Sequence, residues 1–262
     1  MARIALSLTV ALIGSSFVAA QGKADKKKDS KPAKVTAAQA LKDAEHALGV
    51  LPQFHLAAQN FQDAYGKPLP TDKGLRGDKP NYLGWRFFLL PFIEQDNLYK
   101  FVVTDVPTME VPGGLTREKA EKDYPSLKKV GSMRIAEYTL PRYGAKDKPE
   151  TTVWRRVLVK GKPKLFVVVE SSERVLWIKS GDDLVLDPDK PLPKGMGGNF
   201  SGGFFALCGD GKVRFLEKKL SRKAVVEALT TGKGVAALDT STPGARKKAV
   251  KALKLTGGEE EP

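Results

Sequence analysis

The chain has 262 residues, 41% of them hydrophobic, and its 44 basic and 30 acidic side chains give a formal net charge of +14. This hydrophobic content is sufficient for a core, which excludes a wholly disordered protein, and the length allows one large domain or two small ones. The basic excess favours an anionic partner: nucleic acid, an acidic polysaccharide or a membrane surface. Because the excess is spread along the chain, a solvated basic surface explains it more simply.

Residues 1–20 have the pattern of an export signal. Arg3 precedes an apolar stretch, and the side chains of Val18 and Ala20 are small enough for the pockets of a signal peptidase. We therefore predict cleavage after Ala20, an exported protein in the periplasm or outside the cell, and no membrane segment after cleavage. The alternative is a retained anchor, but the stretch falls short of the roughly 20 apolar residues that span a bilayer.

Three further segments are expected after the signal. Residues 21–34 are rich in lysine and cannot bury apolar surface, so they are predicted to form a disordered spacer. Residues 35–238 are predicted to fold as a single domain, and 239–262 to form a charged, partly helical tail.

A long helix is predicted at the start of the domain. Thr36 and Gln39 have the spacing of a capping box, and apolar residues then recur at steps of three and four. Pro52 is expected to kink this helix, or to restart it after Gly49, and Gly66 to end it.

The residue types needed for nucleophilic catalysis are scarce. His46 and His55 lie nine residues apart on the predicted helix and therefore on opposite sides of it, so they cannot share a metal ion. No serine stands in a nucleophile elbow, and the single cysteine, Cys208, is interpreted as a small buried hydrophobe rather than a reactive thiol.

The second half of the chain is dominated by predicted strands. Asp210-Gly211 lies between two apolar runs, which is a strong hairpin signal because glycine readily adopts positive φ. A short helix is predicted from Ser221, and Pro125 is expected to stop a charged helix that begins near Thr116. The fold class is therefore α+β, with the N-terminal helix packed on a mainly antiparallel sheet. The predicted strands are Met133–Leu140, Val153–Val159, Leu165–Val169, Val175–Ile178, Phe204–Leu207 and Val213–Leu216.

Several blocks of sequence resemble one bacterial family, the domain of unknown function fifteen-fifty-nine, which carries a prepilin-processing-associated His-x(nine)-Asp-Gly motif. The first block runs from Gly84 to Tyr99, and later blocks surround Glu170, Trp177 and Asp210-Gly211. The resemblance implies a pseudopilin-like fold, with a helical spine and a β-rich head, in a cell-envelope setting, and it implies no reaction. The residues that carry it are Trp85, Arg86, Pro91, Glu94, Gln95, Glu170, Trp177, Asp210 and Gly211.

The chain departs from that family in two ways. It begins with an ordinary export signal and a lysine-rich spacer instead of a prepilin segment continuous with the spine, so it is expected to lack the apolar helix half through which pilins pack into a fibre. The motif histidine would fall at Phe200, and any role of that histidine is therefore absent.

Carboxylates offer two further hypotheses. A calcium site is one, because carboxylate oxygens at short spacing can hold calcium, although these positions do not match an EF-hand. A glycosidase pair formed by Glu94 and Glu170 is the other, in place of two structural carboxylates. The calcium candidates are Asp182, Asp183, Asp187 and Asp189.

The sequence thus favours an exported structural or binding module of the cell envelope, with no enzymatic activity and no cofactor. Envelope or pilus-like proteins are the expected partners. The alternatives are a module that binds a polyanion, either nucleic acid or an acidic polysaccharide, and a hydrolase that uses carboxylates or a metal ion.

Overall fold

The computed structural model of the protein describes residues 35–71, 81–106, 111–112, 115–143, 148, 150–200, 202–253 and 255. The predicted export signal (1–20) and spacer (21–34) lie outside these described residues. The helices are α1 (Ala37–Tyr65), α2 (Trp85–Leu89), α3 (Asp96–Asp105), α4 (Arg117–Asp123), α5 (Pro125–Gly131), α6 (Arg222–Thr231) and α7 (Pro243–Ala252). The strands are β1 (Thr151–Val159), β2 (Val168–Leu176), β3 (Leu184–Leu186), β4 (Gly203–Leu207) and β5 (Val213–Glu217).

Helix α1 begins and ends as its sequence predicts. The Thr36 hydroxyl accepts a hydrogen bond from the backbone N–H of Gln39 at 3.2 Å, and Gly66 ends the helix in the left-handed conformation. The Gln39 side-chain N–H donates to the Asp43 carboxylate at 3.1 Å, and the return bond of a capping box, from the Thr36 N–H to the Gln39 side-chain oxygen, is not found in the described residues. The helix continues through Pro52, so the predicted restart after Gly49 does not occur.

The five strands form one sheet in the order β3-β1-β2-β4-β5. All neighbouring strands are antiparallel except β1 and β3, which are parallel, with Val157 opposite Leu184. The predicted α+β fold with a mainly antiparallel sheet is therefore confirmed. Strand β3 was not predicted, since three residues give too short a pattern to recognise.

Apolar side chains cover both faces of the sheet. Along β4 they alternate, so that Phe205 and Leu207 join the core beneath α1, whereas Phe204 and Ala206 join a second core with α6. Strand β4 is consequently apolar along its whole length, as expected for a strand buried on both faces.

Two details of the predicted secondary structure are wrong, and one helix, α5, was not predicted. The segment Met133–Leu140 contains a short 3-10 helix (Ala136–Tyr138) instead of a strand. The runs predicted as two strands around 165–169 and 175–178 belong to the one strand β2. Pro125 ends α4 but also begins α5, because a proline at the first helical position lacks only an N–H that would have no partner there.

Helix α7 lies within the segment predicted as a charged tail. It packs against α1, and its Val250 is fully buried in the core beneath α1. Among the described residues, no helix combines the length and the apolar composition needed to cross a bilayer.

Candidate functional site

The connections of two hairpins meet at one end of the sheet. The β1–β2 connection (160–167) approaches the β4–β5 turn (208–212) so closely that a β carbon on Gly209 would lie 2.5 Å from Leu165 Cδ1. The Gly209 backbone N–H also donates to the carbonyl of Leu229 at the end of α6, at 2.8 Å. Glycine is therefore required at this crossing of three chain segments.

The middle of α1 packs against the same β4–β5 turn through His55. Gly211 has a φ of 77°, and a β carbon there would lie 2.8 Å from Cε1 of the His55 imidazole. Burial lowers the pKa of His55, and the nearby Asp210 carboxylate opposes this effect. His55 was predicted only as an ordinary histidine of α1, because its contact with Asp210-Gly211 joins residues far apart in the chain.

Asp210 is held by an arginine four residues later. Its two carboxylate oxygens accept hydrogen bonds from the Arg214 guanidinium at 2.7 and 2.8 Å, and Arg214 also donates to the carbonyl of Val235. Partial burial by itself would raise the pKa of Asp210, but the hydrogen bonds from Arg214 and from the Lys212 backbone produce a net lowering. Asp210 therefore links the hairpin turn to the chain that follows α6.

A cleft of about 190 Å³ opens beside these connections, between α1, strand β1 and the β1–β2 connection. Its apolar wall includes Phe166. The described residues that line the cleft include no carboxylate, no serine and no cysteine. Its polar lining consists of His55, Gln59, Gln62, Thr71, Arg156 and Lys164.

Arg86, in the first sequence block, lies away from this cleft and fully buried. Its guanidinium donates to the carbonyl of Trp154 on β1, at 2.7 and 3.0 Å, and forms an ion pair with Asp182. The Arg86 carbonyl in turn accepts a hydrogen bond from the Tyr138 hydroxyl at 2.6 Å. Arg86 thus joins α2 to the sheet and to the segment before β1.

Residues 51–144 match the family described as "Protein of unknown function (DUF1559)". Over this segment the chain is similar to the DUF1559 family. No curated protein and no solved structure matches the chain. The matched segment contains α1 from Leu51 onwards and the block with Arg86, whereas Glu170, Trp177 and Asp210 lie beyond it.

The other residues of the matched block at 85–95 either pack in the core or form turns of the backbone. The ring of Trp85 meets Phe54 and Phe166 edge-on, with centroids 6.1 and 5.6 Å apart. Pro91 lies in a short 3-10 helix (Leu90–Phe92), and Gln95 directly precedes α3. Glu94 is exposed and has a φ of 62°, so it forms a surface turn between these two elements. Further along the chain, the indole N–H of the buried Trp177 donates to the carbonyl of Met133 at 3.0 Å.

Two of the four aspartates proposed for calcium, Asp183 and Asp187, are positioned by the parallel pairing of β1 with β3. In this register a β1 residue lies opposite the residue 27 positions later in the sequence. Arg156 therefore donates a hydrogen bond to Asp183, and Lys160 donates one to Asp187. The described residues contain no group of three or more potential metal ligands. Asp182, Asp183 and Asp187 each bind a cationic side chain, and the Asp189 backbone N–H donates to Asp187.

Glu170 is buried in the sheet and belongs to a polar network. Its Oε1 accepts hydrogen bonds from the backbone and the side chain of Asn199, whereas its Oε2 is buried without a hydrogen-bond partner. Burial raises the pKa of Glu170 to about 7, and the hydrogen bonds from Asn199 and the charge of Arg142 act in the opposite direction. Glu170 and the exposed Glu94 therefore lie in very different environments.

Phe200, the residue expected at the position of the motif histidine, is buried. Its ring meets Phe205 edge-on at 4.8 Å, and the Arg142 guanidinium lies 5.4 Å from its centroid. Arg142 also forms an ion pair with the buried Asp43 of α1. A hydrophobic side chain at this position therefore fills the core, and its neighbour Asn199 bonds to Glu170.

Cys208 is buried as predicted. Burial raises the pKa of its thiol to about 11, and the nearby Arg214 lowers it only in part. Thiolate chemistry at neutral pH is therefore disfavoured at this cysteine.

Proposed function

We propose that this protein is an exported cell-envelope module of the pseudopilin-like type, which acts by binding or assembly and not by catalysis. The observation that carries the proposal is the order of its elements. A long N-terminal helix, α1, packs on a largely antiparallel sheet whose strands all follow it in the chain. This arrangement matches the helical spine and β-rich head that the family resemblance implies.

The N-terminus of α1 supports a role outside a fibre core. The helix begins at Ala37 and is capped by the Thr36 side chain. The expected export signal and the lysine-rich spacer precede it in the sequence. A pilin spine would instead continue as a helix into its apolar N-terminal half. The proposal is therefore an envelope module with a pseudopilin-like head, tethered or released by its spacer.

The ionisable side chains in the interior support a non-catalytic role. Arg86, Arg142 and Arg156 each form an ion pair with a buried or nearly buried aspartate, so their charges are used in packing. Among the described residues, the cleft near His55 presents no carboxylate, serine or cysteine that could act as a nucleophile. A hydrolase would need such a group beside a base.

Fractionation of cells that carry a C-terminally tagged copy tests the export step. We expect the protein in the envelope or the medium, with an intact mass that corresponds to a chain beginning at Gln21. A substitution of Ala20 by a bulky residue should block the cleavage and leave the longer form at the membrane, whereas the same change at Ala37, within α1, should not. A full-length protein in the cytoplasm would contradict the proposal.

A further inference from the structure

We propose that the end of the sheet described above is a binding site for an acidic polysaccharide, with a chain terminus or a single sugar residue held in the cleft. We call this surface the basic end and define it by the exposed lysines Lys162, Lys164 and Lys212 and by the adjoining cleft with Gln59 and Gln62. The inference goes beyond the assembly role and does not depend on it.

The fold brings these lysines together. Lys162 and Lys164 lie on the β1–β2 connection and Lys212 lies on the β4–β5 turn, and these two segments touch where Gly209 meets Leu165. Lys164 also lines the cleft. Three lysines from two separate segments therefore lie at one end of the sheet, and one of them, Lys164, lines the cleft.

The charges of these lysines are not neutralised nearby. Lys162, Lys164 and Lys212 form no ion pair with any described residue, and all three are exposed. Among the described aspartates near this end, Asp210 binds Arg214 and Asp187 binds Lys160. An anion that reaches this surface would therefore meet lysines whose charge is uncompensated.

The lining of the cleft indicates a ligand that carries hydroxyl groups as well as negative charge. Gln59 and Gln62 are exposed on α1, and their amides can both donate to and accept from a hydroxyl group. Lys164 supplies a positive charge at the rim. The volume of about 190 Å³ is smaller than the usual range for an enclosed drug-sized ligand, which suits one unit of a longer chain.

The same features favour a polysaccharide over nucleic acid. Single-stranded nucleic acid is usually held by aromatic side chains on which successive bases stack. The exposed aromatic residues of the described chain are Tyr65 and Phe101, and neither lines the cleft. Phe166 does line it but is half-buried and packs edge-on against Trp85, so the described cleft lacks a row of exposed rings. The uncompensated cations are lysines, which contact anions as point charges, and not arginines with the bidentate geometry typical of base and phosphate recognition.

Binding of the purified protein to polygalacturonate, at about 0.1 M salt so that distant charges are screened, tests the proposal. The test variant is Lys162→Gln/Lys164→Gln/Lys212→Gln. The matched control is Lys122→Gln/Lys128→Gln/Lys247→Gln, which removes the same charge from exposed lysines on α4, α5 and α7 that form no ion pair with described residues. Thermal melting of all three proteins verifies that they are folded.

We expect the test variant to lose at least tenfold in affinity for polygalacturonate and the control to lose no more than about threefold. Gln59→Ala/Gln62→Ala should weaken binding to polygalacturonate without weakening binding to a DNA duplex. The proposal would be overturned if the unmodified protein failed to bind polygalacturonate, if both triple variants lost affinity equally, or if a DNA duplex bound as tightly as polygalacturonate and competed with it.

Discussion

Gly211 lies beneath the imidazole of His55 with no space for a β carbon. A β carbon at this position would lie 2.8 and 2.9 Å from two ring carbons of His55 and closer still to Nε2. The contact fixes the β4–β5 turn against the middle of α1, and the adjacent Asp210 is fixed by Arg214. One end of the sheet is thereby held at a defined distance from the helix.

Gly211→Ala is expected to destabilise the protein by about 2–4 kcal/mol. The left-handed backbone costs a residue with a β carbon about 1–2 kcal/mol, and overpacking against His55 adds to this cost. Gly161→Ala is the matched control, because Gly161 has a similar φ of 79° but nothing within 4 Å of the added β carbon. Its loss should be about 1 kcal/mol. Urea denaturation measures both, and equal losses would contradict the packing described for His55.

Arg86→Met is expected to cost about 3–5 kcal/mol, because the change leaves Asp182 and the Trp154 carbonyl without their buried partner. Lys219→Met breaks the exposed pair with Glu217 and should cost less than about 0.5 kcal/mol. A double-mutant cycle of Arg86→Met with Asp182→Asn should recover part of the loss. Strict additivity of the two substitutions would show that the ion pair does not contribute as described.

Glu170→Gln should change how stability depends on pH. The folded-state pKa of about 7 lies above the ordinary value of 4.5, so the folded protein binds more protons than the unfolded chain between these values. The stabilising contribution of the protonated carboxyl is complete below pH 4.5 and is lost as the pH rises through about 7, a change of about 3 kcal/mol. The unfolding free energy of wild type relative to Glu170→Gln should therefore fall by that amount between pH 4.5 and pH 8.

Two histidines titrate in part of the same range with the opposite sign. Burial lowers the pKa values of His46 and His55, so their contribution is present above pH 6.5 and is lost as the pH falls. Because both histidines are present in wild type and in Glu170→Gln, the difference between the two proteins isolates Glu170. Glu227→Gln, on the exposed side of α6, serves as the control, and parallel pH profiles for wild type and Glu170→Gln would refute the assignment.

Addition of calcium up to about 1 mM is expected to leave the melting temperature unchanged. Extracellular calcium modules bind the ion in this concentration range. No change is expected here because Asp182, Asp183 and Asp187 are already bound to Arg86, Arg156 and Lys160. Magnesium at the same concentration controls for ionic strength. A calcium-specific rise in melting temperature, lost in Asp187→Asn/Asp189→Asn, would instead support the calcium site considered from the sequence.

Local chemistry made part of this fold predictable. The Thr36 cap, the Asp210-Gly211 hairpin and the Ser221 cap of α6 each depend on neighbouring residues, and the structure confirms all three. Strand β3 was missed because a three-residue strand gains its stability from parallel pairing with residues 27 positions earlier. For the same reason, the sequence offers the aspartates that follow Gly181 only as calcium candidates and does not reveal that Asp183 pairs with Arg156 and Asp187 with Lys160.

The contacts that form the candidate site were harder to predict from the sequence. The contacts of His55 with Gly211 and of Leu165 with Gly209 join segments that are distant in the chain, and no local spacing encodes them. One signal was available: Arg155 and Arg156 stand within an apolar strand pattern, so their charges require acidic partners elsewhere. Those partners are Glu173 for Arg155 and Asp183 for Arg156, whereas the carboxylate of Asp182 pairs with Arg86.

Crosslinked co-purification tests the central claim, an envelope module of pseudopilin-like type, most directly. The full-length tagged protein would be isolated from its own cells after crosslinking, with and without nuclease. We predict recovery of a defined set of envelope or pilus-like proteins in amounts that nuclease does not change. Recovery of cytoplasmic proteins, or of nucleic acid alone with nothing remaining after nuclease treatment, would contradict the claim and leave the pseudopilin resemblance as a statement about the fold.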